Sequence, residues 1–189
     1  MKICILCPTF NIYGGGEFVA ASIANTLAEN NYEVILFSNE EISQREIEKF
    51  FGKHLNPSIK VIVKHSIVQT RGLLDFYQTI FRSCILKSSC DILIDVYSNC
   101  VFPWTNIAYI HFPFFNHYFY RPHFPYIKSR RLLPIGGLPY VLFEKNLVNY
   151  NGKLILANSQ YTANEIRRFS GKKQKYYIPQ HPPPSSTTI

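Results

Sequence analysis

Apolar positions along this chain alternate between short unbroken runs and stretches with a helical repeat. The first run, Ile3–Cys7, is continuous, as in a parallel strand buried on both faces. From Glu17 to Asn30 the rhythm changes. Val19, Ile23 and Leu27 recur every fourth residue, with Ala20, Ala24 and Ala28 beside them, which predicts a helix with one apolar face. Glu17 in its first turn suits the helix dipole, and Asn30-Asn31 ends it. Glu33–Ser38 is a second strand-like run, so the chain opens with a strand–helix–strand unit.

The alternation continues. Ile42–Phe51 reads as a helix that Ser43 or a nearby polar residue starts and Gly52 and Asn56-Pro57 end. Ile59–Lys64 mixes apolar residues with lysines, as expected of an edge strand with a wet face. Leu73–Leu86 is helical, Asp91–Tyr97 and Ile107–His111 are strands, and Pro139–Tyr150 is a helix with Pro139 near its start. Lys153–Asn158 is a sixth strand. Ser159 follows as an N-cap, Gln160–Ser170 as a helix closed by Gly171, and Tyr176–Pro179 as one last short strand. The predicted fold is α/β: a doubly wound, mostly parallel, Rossmann-like sheet with helices on both faces. Residues 1–179 form that domain, and 180–189, rich in proline and serine, read as a linker or tail.

Two stretches break the pattern. Gly14-Gly15-Gly16 lies between the first strand and the first helix. Three consecutive glycines cost backbone entropy and pack nothing, so they fit a sharp turn that brings backbone close to a ligand over a helix N-terminus. The bland alternative is a turn that only lets strand and helix pack. Phe112–Pro139 is crowded with aromatics and carries Arg121, Lys128, Arg130 and Arg131, without a single acid. Such a stretch fits an acceptor loop, an interfacial membrane patch, a platform for single-stranded nucleic acid, or a loop that packs its own rings.

Charge and cysteines narrow this only partly. The formal charge of +8 favours anionic partners without choosing among phosphates, nucleic acid and an anionic membrane. Arg167, Arg168, Lys172, Lys173 and Lys175 form a second basic cluster, which a solvated helix end also explains. The five cysteines have no regular spacing. Cys4 and Cys7 are three apart on a strand and so face opposite sides, which rules out a shared metal; reduced thiols in a cytoplasmic protein are expected. No apolar run is long enough to span a bilayer, so any membrane contact is peripheral.

Candidate chemistry gathers at the carboxyl ends of strands, where open α/β sheets bind ligands. The glycine turn follows the first strand, Tyr97-Ser98-Asn99 the fourth, His111 the fifth and Asn158-Ser159 the sixth. The turn matches neither G-x-x-x-x-G-K-[ST] nor G-x-G-x-x-G, although Glu40 after the second strand leaves a ribose contact open. His111 fits a base, a partner to a sugar hydroxyl or phosphate, or a core imidazole satisfied by a carbonyl. Asp95, on an apolar strand, reads as structural. The other histidines have no metal-ligand spacing, and there is no G-x-S-x-G elbow.

Three segments in order carry a family resemblance: the strand with Gly-Gly-Gly-Glu opening a helix, Tyr109-Ile110-His111-Phe112-Pro113, and Leu156-Ala157-Asn158-Ser159-Gln160-Tyr161-Thr162. Together they resemble the N-terminal, acceptor-receiving domain of GT-B glycosyltransferases of family 4, closest to the lipid-linked-oligosaccharide mannosyltransferases. The likeness covers about residues 1–180. It implies that Gly14, Gly15, Gly16 and Glu17, with Tyr97, Asn99, Asn158 and Ser159, bind substrate, the glycines approaching donor phosphates or the acceptor. It implies that His111 is catalytic, beside the reacting sugar, and that Phe114, Phe115, Tyr118, Arg121, Arg130 and Arg131 form an acceptor and membrane loop. The implied donor is a nucleotide-sugar, with no metal, and the acceptor a glycan or lipid-linked saccharide. The family's second domain, which holds the donor, would follow residue 180. This chain is expected to act with such a domain or partner subunit and not to transfer sugar alone. A different class of function remains open: a non-catalytic module for anionic ligands or nucleic acid.

Overall fold

The computed structural model describes residues 1–10, 14–65, 73–112, 152–170 and 176–177. The expected helix at 139–150, the loop residues Phe114, Phe115, Tyr118, Arg121, Arg130 and Arg131, the basic residues 172–175 and the tail lie outside them. Seven strands form one sheet: β1 (Lys2–Leu6), β2 (Glu33–Ser38), β3 (Lys60–Val63), β4 (Ile92–Asp95), β5 (Ile107–Ile110), β6 (Leu154–Ala157) and β7 (Tyr176–Tyr177). Four described helices accompany them: α1 (Gly15–Glu29), α2 (Gln44–Phe51), α3 (Leu73–Lys87) and α4 (Gln160–Ser170).

The strand order is β3-β2-β1-β4-β5-β6-β7, and every neighbouring pair is parallel. The expected sheet was mostly parallel; this one is wholly so. β3 lies at an edge, as its lysines predict. The order reverses between β1 and β4, where the chain, having built outward through β2 and β3, returns to build in the other direction. This reversal opens a crevice beyond the carboxyl ends of the central strands.

The period-two alternation of β1 sorts the core. Ile3, Ile5 and Cys7 face one layer, with Ala20, Ala21, Ala24 and Ala28 of α1 and Ile47 of α2. Cys4 and Leu6 face the other, with Leu86 of α3 and Leu93 of β4. The two cysteines thus belong to opposite cores. α4 packs Ala163 and Ile166 on Ala108 and Ile110 of β5 and Ile155 and Ala157 of β6. The alanine face of α1 lets helix and sheet approach closely. Each fully buried Ile or Leu of β1 and β2 contributes about 1.5–3 kcal/mol.

Several boundaries differ from expectation. α1 begins at Gly15, not Glu17, so Gly14 is its N-cap and the next two glycines form its first turn. α2 starts two residues later than expected, at Gln44, because Ser43 is its cap: the Ser43 hydroxyl accepts the Glu46 N–H at 3.3 Å. Gly52 closes it in the left-handed region (φ 67°), where glycine pays no steric cost. β2 has the expected bounds, β1 is shifted one residue earlier, β5 ends one residue sooner, and β3, β4 and β6 are shorter by one or two residues at each end.

The β4–β5 connection departs most from the usual plan. Parallel neighbours are normally joined by a helix, yet Val96–Asn106 has none. The segment holds itself together instead. Val96, Cys100, Val101 and Phe102 are buried, and Phe102 stacks on Trp104 at 5.5 Å. Its start is organised by Asp95, which is fully buried. One carboxylate oxygen accepts the Tyr97 and Ser98 N–H groups at 3.0 and 2.9 Å, and the other accepts the Ser98 hydroxyl. Burial raises the Asp95 pKa from its ordinary 3.8, and these bonds oppose the shift. Asp95 is structural, as read from its apolar strand.

Candidate functional site at the carboxyl ends of the central strands

β1, β4, β5 and β6 are neighbours, so the segments after them share one rim of the sheet. At the first, α1 points its N-terminus upward from the glycine turn. The site is already partly occupied by the protein itself. Glu17, nearly buried, turns back so that one carboxylate oxygen accepts the Gly14 N–H at 3.0 Å and the other the Thr9 hydroxyl at 3.4 Å. A carboxylate therefore sits where an incoming anion would meet the helix dipole.

His111 is the first residue after β5, and its ring lies against α1. A side-chain carbon placed on Gly16 would stand 3.4 Å from His111 Nε2 and 3.9 Å from Cε1. Here a glycine is needed for close approach: the ring fills the space a larger residue would claim. On the other side the Tyr109 ring lies 4.8 Å away, tilted by 58°.

The two ring nitrogens have different fates. The Val96 backbone favours the protonated ring, as an accepting carbonyl does, while Nε2 is buried without any partner, which points to Nδ1 as the nitrogen turned toward Val96. A ring N–H directed to that carbonyl would put the proton on Nδ1 and leave Nε2 as a bare acceptor. Burial lowers the His111 pKa below its ordinary 6.5, against the Val96 bond and the nearby Glu17 carboxylate. The site thus holds a neutral imidazole whose Nε2 lone pair is unsatisfied.

The remaining candidate residues converge on His111 by other routes. Asn99 has a left-handed backbone (φ 56°), and its amide oxygen accepts the N–H groups of His111 at 2.7 Å and Phe112 at 3.1 Å. Asn158 donates its backbone N–H to Ile110 at 3.2 Å. Ser159 caps α4 as predicted, accepting the Thr162 N–H at 3.2 Å. Thr162 then donates its hydroxyl to the His111 carbonyl at 3.0 Å, with Asn158 Oδ1 a second acceptor at 2.8 Å. Tyr97 is half-buried, its N–H held by Asp95. The structure therefore brings Gly16, Glu17 and Asn99 to His111, with Gly14 held by Glu17, and with Asn158 and Ser159 linked to His111 through Thr162. The side chains of Asn99 and Ser159 are turned to protein backbone. Gly15 faces open space.

Thr162, Thr9 and the Val96 carbonyl were not singled out from the sequence. For Thr162 a signal existed: it stands three residues after the Ser159 cap, where a capping partner sits. The Val96 carbonyl has no sequence signal, because any residue supplies one.

Cys7, at the foot of this rim, is inert by environment: burial raises its thiol pKa well above 9.0, and the Glu17 and Asp95 carboxylates add to the shift. Among the described residues, no group of three or more His, Cys, Asp or Glu side chains could hold a metal ion, and no helix is long and apolar enough to cross a membrane.

No family model and no curated protein matches the chain in sequence. In three dimensions it is similar to WaaG, a glycosyltransferase involved in lipopolysaccharide biosynthesis, with a TM-score of 0.61 at 12% identity. The superposition covers 94% of this chain and 44% of WaaG, so the chain spans less than half the length of that protein. At this identity the likeness establishes architecture: over nearly its whole length, the chain has the fold of part of a glycosyltransferase.

Proposed function

We propose that this chain is the acceptor-side domain of a GT-B glycosyltransferase of family 4, of the kind that transfers a hexose to a glycan or lipid-linked saccharide. The single observation that carries the reading is the partnerless Nε2 of His111, a neutral acceptor buried beside Gly16 at the sheet's reversal point. An unsatisfied buried acceptor is costly, and a ligand hydroxyl is the group that would relieve it. The same nitrogen would take the proton as that hydroxyl forms a bond to the anomeric carbon of the nucleotide-sugar and the bond from that carbon to the nucleoside diphosphate breaks, the diphosphate leaving with the electron pair, the role of a general base.

The Glu17 carboxylate refines what the turn receives. A phosphate placed over Gly14–Gly16 would meet that negative charge, whereas a neutral sugar hydroxyl would not. The glycine turn is therefore assigned to hydroxyls of the acceptor, and the phosphates of the nucleotide-sugar to a second domain across the cleft. The reading takes no metal and places any membrane contact at the surface. Mannose as the sugar is its narrowest form.

The test is a ¹⁵N-resolved NMR titration of the chain with soluble oligosaccharides and with lipid-linked saccharides in vesicles. Expected are shifts at Gly14–Glu17, His111 and Asn158–Ser159 that His111→Ala abolishes while the spectrum stays dispersed. No saccharide shifting these residues, or shifts that survive His111→Ala, would overturn the proposal.

A further inference from the structure

We propose that Asn99 and Thr162 are positioning residues that hold His111 in one ring orientation and one tautomer. The inference deepens the reading above and rests on it only for the identity of the ligand. Its own support is geometric.

β5 ends at Ile110, so the N–H groups of His111 and Phe112 have left the sheet ladder. Both are collected by one atom, Asn99 Oδ1. The Thr162 hydroxyl, from a different element, stands 3.0 Å from the His111 carbonyl and shares its one proton between it and Asn158 Oδ1 at 2.8 Å. The backbone of the histidine is thus gripped on both sides by side chains. Its ring is favoured in the protonated form by the Val96 backbone, three residues before Asn99 in the same connection. One short segment therefore fixes both the main chain and the ring of His111. Asp95 in turn fixes that segment through the Tyr97 and Ser98 N–H groups.

Asn99 adopts φ 56°, a region that asparagine visits more readily than most residues but that remains uncommon outside glycine. Held there, its amide reaches across to β5; in extended backbone its side chain would point elsewhere. The residue combines a left-handed backbone with an acceptor oxygen, and asparagine and aspartate supply both. Thr162 does the corresponding work from α4, whose cap at Ser159 sets its height above the sheet. Released from either grip, the His111 main chain can shift, the Val96 bond lengthens, and the Nε2 lone pair ceases to be defined in direction.

The test reads the His111 ring directly in the unliganded chain, by long-range ¹H–¹⁵N correlation across a pH series. Among the described residues, Glu17 and Tyr109 are the titratable groups facing the ring, and both stay in place. In the parent chain the spectrum should show a single Nδ1–H tautomer with a midpoint below 6.5. Asn99→Gly keeps the left-handed backbone but removes the acceptor. It should give averaged tautomers and move the midpoint toward 6.5. Thr162→Val should act in the same direction, and Thr162→Ser, which keeps the hydroxyl, should restore the parent spectrum. Unchanged tautomer and midpoint in Asn99→Gly and Thr162→Val, with the fold intact, would overturn the proposal; so would a Thr162→Ser spectrum as altered as that of Thr162→Val. Because no saccharide is present, this outcome is independent of whether glycans bind.

Discussion

Gly16 and His111 are in contact across the sheet's rim: a carbon added to Gly16 would lie 3.4 Å from His111 Nε2. The two residues are 95 positions apart, yet one exists in its present form because of the other. A methyl at position 16 would just touch the ring and cover the nitrogen; a branched side chain would push the ring away. Gly16→Ala should therefore leave the fold intact and abolish saccharide-induced shifts at His111. Gly16→Val should also displace the His111 ring resonances without any ligand. Retained ligand shifts in Gly16→Ala would show that the covered nitrogen is not the one that binds.

Gly15 provides the contrast. Nothing lies within 4 Å of a side-chain carbon placed on it, and it opens α1 with a helical conformation. Gly15→Ala should be neutral or stabilising by about 0.5 kcal/mol through lost freedom of the unfolded chain. Urea unfolding checks this, and a clear loss of stability would mean that the first turn of α1 is more crowded than described.

The His111 midpoint has a consequence for stability. Because burial lowers it from 6.5, the unfolded chain binds this proton more readily than the folded chain. Stability from this group is complete above 6.5 and is lost as the pH falls from 6.5 through the folded midpoint. Asp95, raised from 3.8, works in the opposite sense: its contribution to stability is lost as the pH rises from 3.8 through its folded midpoint. Comparing the parent chain with His111→Gln cancels the Asp95 part. Urea midpoints between about pH 5 and 8 should fall more steeply on acidification in the parent than in the variant. Parallel curves would contradict the lowered midpoint.

Glu17 tunes the same imidazole, since its carboxylate raises the His111 pKa against burial. Glu17→Gln keeps an oxygen for the Gly14 N–H and removes the charge. Stability should change little, while the His111 midpoint, followed by NMR, moves further down. An upward movement would be incompatible with the geometry.

Asp95 organises the helix-free connection between β4 and β5. Asp95→Ala leaves two backbone N–H groups and the Ser98 hydroxyl without their acceptor in the interior, and should cost about 3 kcal/mol in urea unfolding. Asp95→Asn, which keeps one acceptor oxygen, should cost clearly less. Equal losses would mean that the charge, not the hydrogen bonds, holds the segment.

Most of the architecture was legible in residue order, for a local reason. Unbroken runs such as Ile3–Cys7 and the four-residue repeat of Val19, Ile23 and Leu27 report which faces must leave water, and strands buried on both faces that alternate with helices fit a parallel sheet. The caps Ser43, Gly52 and Ser159 are read from side-chain chemistry within one turn. The rim residues were also legible as candidates, because strand ends are marked by the runs themselves. What the sequence by itself determined was therefore the doubly wound class, the edge position of β3 and the set of polar groups at the carboxyl ends. Only the tertiary structure decided how those groups are used: that Glu17 occupies its own helix N-terminus, that Asn99 and Thr162 grip the main chain of His111, and that Gly16 rather than Gly15 meets the ring. These depend on distances between segments remote in sequence and on backbone carbonyls that every residue carries, so no local pattern encodes them.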